Sequence, residues 1–168
     1  FENYSIQNYQ ALDFYSSSNE ESFPALGLLS ATQTTVAQNG NYALKLETIS
    51  QGGIPRMGYV INGNPNTLAG GIAVNEVPTS LSGYYKGTLM PNDTALVFMV
   101  GKHNGVPVGQ YFHKLHTSQT AYTAFNIPFN FSGVVDTVIL GFVSHDFRDN
   151  GNGIVGTNIY FDNITLNG

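Results

Sequence analysis

The chain contains no cysteine and no tryptophan, and only 10% of its 168 residues are charged, against about 25% in an ordinary soluble domain. Without cysteine there is no thiol nucleophile, no thiolate zinc site and no disulfide framework. Missing disulfides leave export open, since many bacterial surface proteins carry none. The six lysines and arginines (Lys45, Arg56, Lys86, Lys102, Lys114, Arg148) are scattered singly in a chain of net charge −5. No basic stripe is available to meet phosphates, which excludes nucleic acid as an expected partner. No apolar run approaches the ~20 residues of a membrane span, so no membrane insertion is expected. No charged-then-apolar leader opens the sequence. It starts directly in "FENYS" and closes on "ITLNG", and is expected to be a single domain, 1–168, excised from a longer exported protein.

Glycine, asparagine, serine and threonine take the place of charge and give a polar, nearly uncharged surface. A domain of this size buries roughly 70% of its unfolded surface without staples. Aromatic and β-branched runs recur between turn signals, at 42–49, 55–61, 80–89, 95–103, 108–115, 122–131, 136–145 and 157–166. The segments between them, such as "INGNPN", "MPND" and "DNGNG", are rich in residues that tolerate tight turns. No window of a dozen residues has helical periodicity. The pattern predicts an all-β fold, a two-sheet antiparallel β-sandwich of jelly-roll type with about ten strands. Strands apolar on both faces, 95–101 and 138–143, belong in the middle of a sheet, with one face on the core and the other covered by loops. The first 40 residues are less regular: 13–22 reads as a polar loop and 23–30 as a strand or a covering segment.

Few constellations could carry chemistry. Gly151, Gly153 and Gly156 have dinucleotide-fingerprint spacing, but a strand follows where that motif needs a helix. Asp146, Asp149, Asn150 and Asn152 offer alternating oxygen ligands without the terminal glutamate of a calcium loop, leaving a second metal or a hydrogen-bonded turn as alternatives. His113 and His116 lie three apart, on opposite faces of a strand, and cannot chelate one ion together. There is no G-x-S-x-G elbow and no strand with closely spaced carboxylates, so no catalytic residue is assigned and no enzyme is expected. Exposed aromatic rings could stack on sugar C–H faces, and Tyr59, Tyr85, Tyr111, Phe112 and Phe147 are the candidate ligand-binding residues, each with core filling as its alternative. Tyr84 and Tyr85 point to opposite faces, so at most one serves a given side.

Asp162 poses a separate problem. In "IYFDNITL" strict alternation sets it with Tyr160, Ile164 and Leu166 on the apolar face. There a carboxylate needs a cation, a metal or several hydrogen-bond donors.

The opening "FEN", the hairpin "NGNYALKLET" (39–48) and the closing "IYFDNITL" together resemble the calcium-bound frame of jelly-roll carbohydrate-binding modules. The stretches 70–87 and 122–145 with the terminal strand resemble the "Putative carbohydrate metabolism domain" family, exported and surface-attached proteins of Bacteroidota often followed by a type IX secretion sorting domain. The resemblance implies a structural calcium held by Glu2, Asn39, Gly40, Asn41 and Asp162. It also implies a secreted or cell-surface location, a polysaccharide or glycan partner, and other domains of the same precursor as neighbours. The reading is a non-catalytic carbohydrate-binding-like module stabilised by calcium. A structural or adhesive surface module without sugar binding is the alternative, and a polysaccharide-degrading enzyme domain comes third.

Overall fold

Period-two alternation sorts most of the chain into strands. The computed structural model describes Tyr9 and residues 11–168. In chain order its elements are β1 (Ser16–Ser17), α1 (Asn19–Leu26), β2 (Ala31–Thr34), β3 (Ala43–Glu47), β4 (Ile49–Gln51), β5 (Ile54–Arg56), β6 (Tyr59–Ile61), β7 (Ile72–Ala73), β8 (Ser80–Thr88), β9 (Ala95–His103), β10 (Val106–Leu115), β11 (Gln119–Pro128), β12 (Thr137–Val143) and β13 (Asn158–Asn167). A six-stranded first sheet runs β1-β6-β12-β9-β10 with β7 beside β12, and a five-stranded second sheet runs β11-β8-β13-β3-β2. All pairings are antiparallel, and β4 and β5 form a separate hairpin. The fold is the all-β sandwich that the alternation predicts.

The core lies between the sheets. Val97, Met99, Val138 and Phe142 of the first sheet meet Leu46, Leu81, Ile159 and Phe161 of the second. β9 and β12 are apolar on both faces and are neighbours in the interior of the first sheet. Their outward residues Leu96, Phe98, Val100, Ile139 and Val143 form a second apolar cluster with Ile61, against which Met57, Tyr59, Leu68 and Phe112 pack. This is the loop-covered outer face that two-sided apolar strands call for.

Two expectations need correction. Where 13–22 is read as a polar loop and 23–30 as a strand or a covering segment, Asn19–Leu26 is an eight-residue helix. Pro24 inside it and weak apolar periodicity leave little helical signal in the sequence. Its anchor is tertiary. The buried Asn19 side chain accepts the amides of Ser30 (2.9 Å) and Ala31 (3.0 Å) and donates to the Ala31 carbonyl (2.5 Å). The helix ends at Gly27, which takes the left-handed conformation (φ +67°) that glycine adopts at little cost.

The second correction concerns Asp162. The register of β13 against β8 slips between Asp162 and Thr165, with Asn163 at φ +50°. This bulge inserts one residue and inverts parity. Ile159 and Phe161 before it and Ile164 and Leu166 after it all pack on the core. Asp162 instead turns outward, paired in register with Tyr84, as Tyr160 is with Lys86. It is not on the apolar face.

Candidate functional site

The outer face of the first sheet holds an open cavity of about 410 Å³. β6 contributes Tyr59 and Ile61, β9 Phe98 and Val100, β10 Gln110 and Phe112, and β12 Val143, while Met57, Pro65, Leu68 and Phe147 come from loops. Its floor depends on a glycine. A Cβ at Gly141 would overlap the Phe98 ring, so that ring lies against the bare backbone of β12. Phe147 is 45% exposed and stands over the floor, edge-on to Phe98 (5.7 Å, 87°) and to Phe112 (6.2 Å, 76°).

Charge holds Phe147 in place from both sides. Its neighbour Asp146 is fully buried and takes two bonds from the Arg148 guanidinium, 2.9 Å from Nε and 2.7 Å from Nη2, with Lys114 Nζ at 3.3 Å. The Arg148 hydrogen bonds outweigh burial and lower the Asp146 pKa to about 2. Arg148 lies 4.4 Å from the centre of the Phe112 ring, and Lys114 also bonds both oxygens of Asp149 at 3.1 Å. The carboxylates of the 146–153 loop, considered above for a second metal, therefore face cations. On the opposite rim, the buried ammonium of Lys102 donates to the carbonyls of Leu68 (2.8 Å) and Gly70 (2.6 Å), fixing the loop that carries Leu68.

The five candidate aromatics divide between the faces. Tyr59, Phe112 and Phe147 converge on the cavity. Tyr85 is 8% exposed in the core, and its hydroxyl donates to the Thr117 carbonyl at 3.3 Å. Parity alone sends it inward, opposite Thr123 and Phe161. Tyr111 also faces inward at the edge strand, between Phe129 (5.5 Å) and Phe131 (5.3 Å), and accepts the Asn130 amide at 2.9 Å. Phe98, Met57, Leu68 and Gln110 were not foreseen. The available signal was Gly141, because a glycine inside an apolar strand marks a close approach.

The residues implied for calcium are partly brought together. Asp162 lies against the turn before β3, but the contacts are amides donating to its carboxylate: Gln38 (2.7 Å), Asn39 (3.2 Å) and its own neighbour Asn163 (2.8 Å). Gly40 donates to the Asn39 side chain (2.9 Å). Among the described residues, no three acidic or histidine side chains gather as a metal site. Calcium takes 6–8 oxygen ligands, and the second carboxylate, Glu2, lies outside the described residues. What is described does not by itself complete a calcium site.

A larger cavity, about 510 Å³, opens between the sheets near Leu12 and Tyr15. Its walls combine the core residues Ala31, Val60, Phe142 and Phe161 with the exposed Leu12 and Tyr42. Among the described residues, a buried acid–histidine pair, Asp93 Oδ1 and His145 Nδ1 at 2.6 Å, has no hydroxyl bonded to the histidine: Thr157 Oγ1 donates to Asp93 (2.6 Å), and His145 Nε2 has no hydrogen-bond partner.

No family model and no curated protein matches the chain. Solved structures do. The "putative glycoside hydrolase" of Bacteroides thetaiotaomicron VPI-5482 superposes with a TM-score of 0.65 at 20% identity, over 82% of this chain and 56% of that one. The chain thus spans little more than half of that protein. A family 61 carbohydrate-binding module in complex with β-1,4-galactotriose matches at TM-score 0.56 and 9% identity, over 90% and 85% of the two chains. The family 11 carbohydrate-binding module from Clostridium thermocellum, in complex with a β-1,3-1,4-mixed-linked tetrasaccharide, matches at TM-score 0.53 and 13% identity, over 97% and 94%. At these identities the likeness is one of fold: an all-β sandwich of the architecture that carbohydrate-binding modules use.

Proposed function

We propose that the chain is a non-catalytic carbohydrate-binding module of a secreted or cell-surface protein, seating a neutral polysaccharide segment in the cavity on the outer face of the first sheet. The observation that carries this reading is the convergence of Tyr59, Phe112 and Phe147 over the Phe98 floor, on a sheet face that the core does not use. Aromatic edges and faces bind the apolar C–H surfaces of sugar rings, and Gln110 and the Tyr59 hydroxyl supply polar contacts at the wall. A glycosidase works with two carboxylates about 5–9.5 Å apart. Among the described residues no carboxylate lines the cavity.

The test is electrophoresis through gels containing neutral soluble polysaccharides, mixed-linkage β-glucan and β-1,4-galactan among them. At least one should retard the protein, and Phe147→Ala should weaken that affinity about tenfold, the equivalent of ~1.4 kcal/mol of aromatic contact. No retardation by any neutral glycan, or retardation unchanged in the variant, overturns the reading.

Calcium forms part of the same proposal. Glu2 joins Asp162 and oxygens of Asn39, Gly40 and Asn41 around a structural ion, supported by the place of Asp162 beside that turn. Melting with chelator and again with calcium restored is the check: a bound ion raises the melting temperature with its concentration, and a melt indifferent to both removes it.

A further inference from the structure

The opposite outer face has different chemistry. Tyr84 and Lys86 of β8, Tyr160 and Asp162 of β13, and Lys45 of β3 turn outward from the second sheet, and Tyr122 of β11 stands beside them. Lys86 Nζ lies 5.5 Å from the centre of the Tyr122 ring and 5.2 Å from that of Tyr160, and Lys45 Nζ is 5.7 Å from Tyr160. Most of the six cations are engaged elsewhere. Lys45 pairs with Glu47 at 2.8 Å, Lys114 and Arg148 with Asp146, and Lys102 with two carbonyls. Lys86 makes no ion pair among the described residues. Of the acids on this face, Glu47 is occupied by Lys45, and Asp162, held by three amides, makes no ion pair among the described residues.

We propose that this face is a second glycan site, for an acidic polysaccharide whose rings stack on Tyr84 while an anionic group pairs with Lys86, which Tyr160 and Tyr122 hold in place. The chemistry is an ammonium held between two aromatic faces and left without a counter-ion. A ring-flanked cation keeps a fixed position at modest cost, so its pairing with an anion loses little further side-chain freedom. A neutral sugar could use Tyr84 but would leave the charge unanswered. The anionic group is a carboxylate or a sulfate ester, which share this chemistry. The chain as a whole carries −5 and repels polyanions, so retention by one requires a local site.

The experiment is affinity electrophoresis of the whole chain in polygalacturonate, in dextran sulfate and in neutral dextran, at low and at raised salt. Retardation by at least one acidic polymer, absent in dextran and weakened by salt, is expected. Lys86→Met should reduce it about tenfold, the loss of one charge-assisted bond, and Tyr160→Ala should also reduce it. Phe147→Ala, on the loop over the other sheet, should leave it unchanged, which separates this site from the cavity. The two acidic polymers distinguish carboxylate from sulfate. No retardation by either, or retardation undiminished in Lys86→Met with an unaltered melt, overturns the proposal.

Discussion

Gly141→Ala tests the cavity through its floor. A methyl group there would overlap the Phe98 ring, whose own side chain is only 9% exposed and packed on Leu96, Val100 and Ile139 of the outer cluster. The backbone of β12 cannot retreat, because it is paired on one side with β6 and on the other with β9. The ring must leave its place, and the cavity it lines is open space beside it. Forcing a methyl into a packed site costs about 1–3 kcal/mol. At about 2–4 °C per kcal/mol for a domain of this size, melting should fall by about 4–8 °C for the middle of that range. The displaced ring should also occupy the volume proposed for the sugar and weaken neutral-glycan binding. Phe98→Leu in the same chain removes the overlapping ring edge, so the double variant should be more stable than the sum of the singles by about 0.5–3 kcal/mol. Circular-dichroism melts of the four proteins give the cycle. Additive effects, or a Gly141→Ala protein that melts and binds as the parent does, would refute the packing on which the cavity rests.

Asp162→Ala removes an acceptor shared by three backbone amides. The partly exposed site leaves water as a substitute, so a loss near 1 kcal/mol is expected, at the low end of the range for unsatisfied donors. If calcium is bound there, the variant also loses its response to chelator, and a chelator response that survives places the ion elsewhere. Asp146 predicts acid sensitivity. Its folded pKa, about 2, lies below the ~3.9 of an unfolded aspartate, so its contribution is complete above pH ~4 and is lost as pH falls towards 2. Asp146→Asn should flatten the stability profile in that window while removing about 2 kcal/mol at neutral pH, readable from urea melts at pH 2.5, 4 and 7.

The strands were legible because their alternation is strong and their turns are rich in asparagine and glycine. β9 announced its central position by being apolar on both faces. The face of Asp162 was not legible, since period-two counting fails at a bulge and Asn163 is the only mark of one. Helix α1 was hidden for the opposite reason: its hold is the Asn19 side chain reaching a segment eleven residues away, which local periodicity cannot register. Among the candidate ligand aromatics, Tyr59, Phe112 and Phe147 stand together because two lie outward on strands of one sheet and the third on a loop that folds over it. Tyr85 and Tyr111 went inward by the same parity that placed their neighbours outward, and residue type alone could not choose between them.

Folding a sandwich needs one apolar face per sheet, so an apolar outer face calls for a separate explanation. The second sheet shows the ordinary solution: outward serines, threonines, tyrosines and Lys86 along β8 and β13. The first sheet does not. Leu96, Phe98, Val100, Ile139 and Val143 point away from the core and would be an aggregation liability if left bare. Two segments cover them, and each is held there by charge that would otherwise be costly to bury: Lys102 under the loop carrying Leu68, and Asp146 with Arg148 at the base of Phe147. A cover meant only to exclude water would close. This one leaves about 410 Å³ open between its two pinned segments, with rings on both sides of the gap. Burying two charges to hold a cover open is an expensive way to stabilise a sheet, and a reasonable way to keep the proposed sugar cavity formed before a ligand arrives.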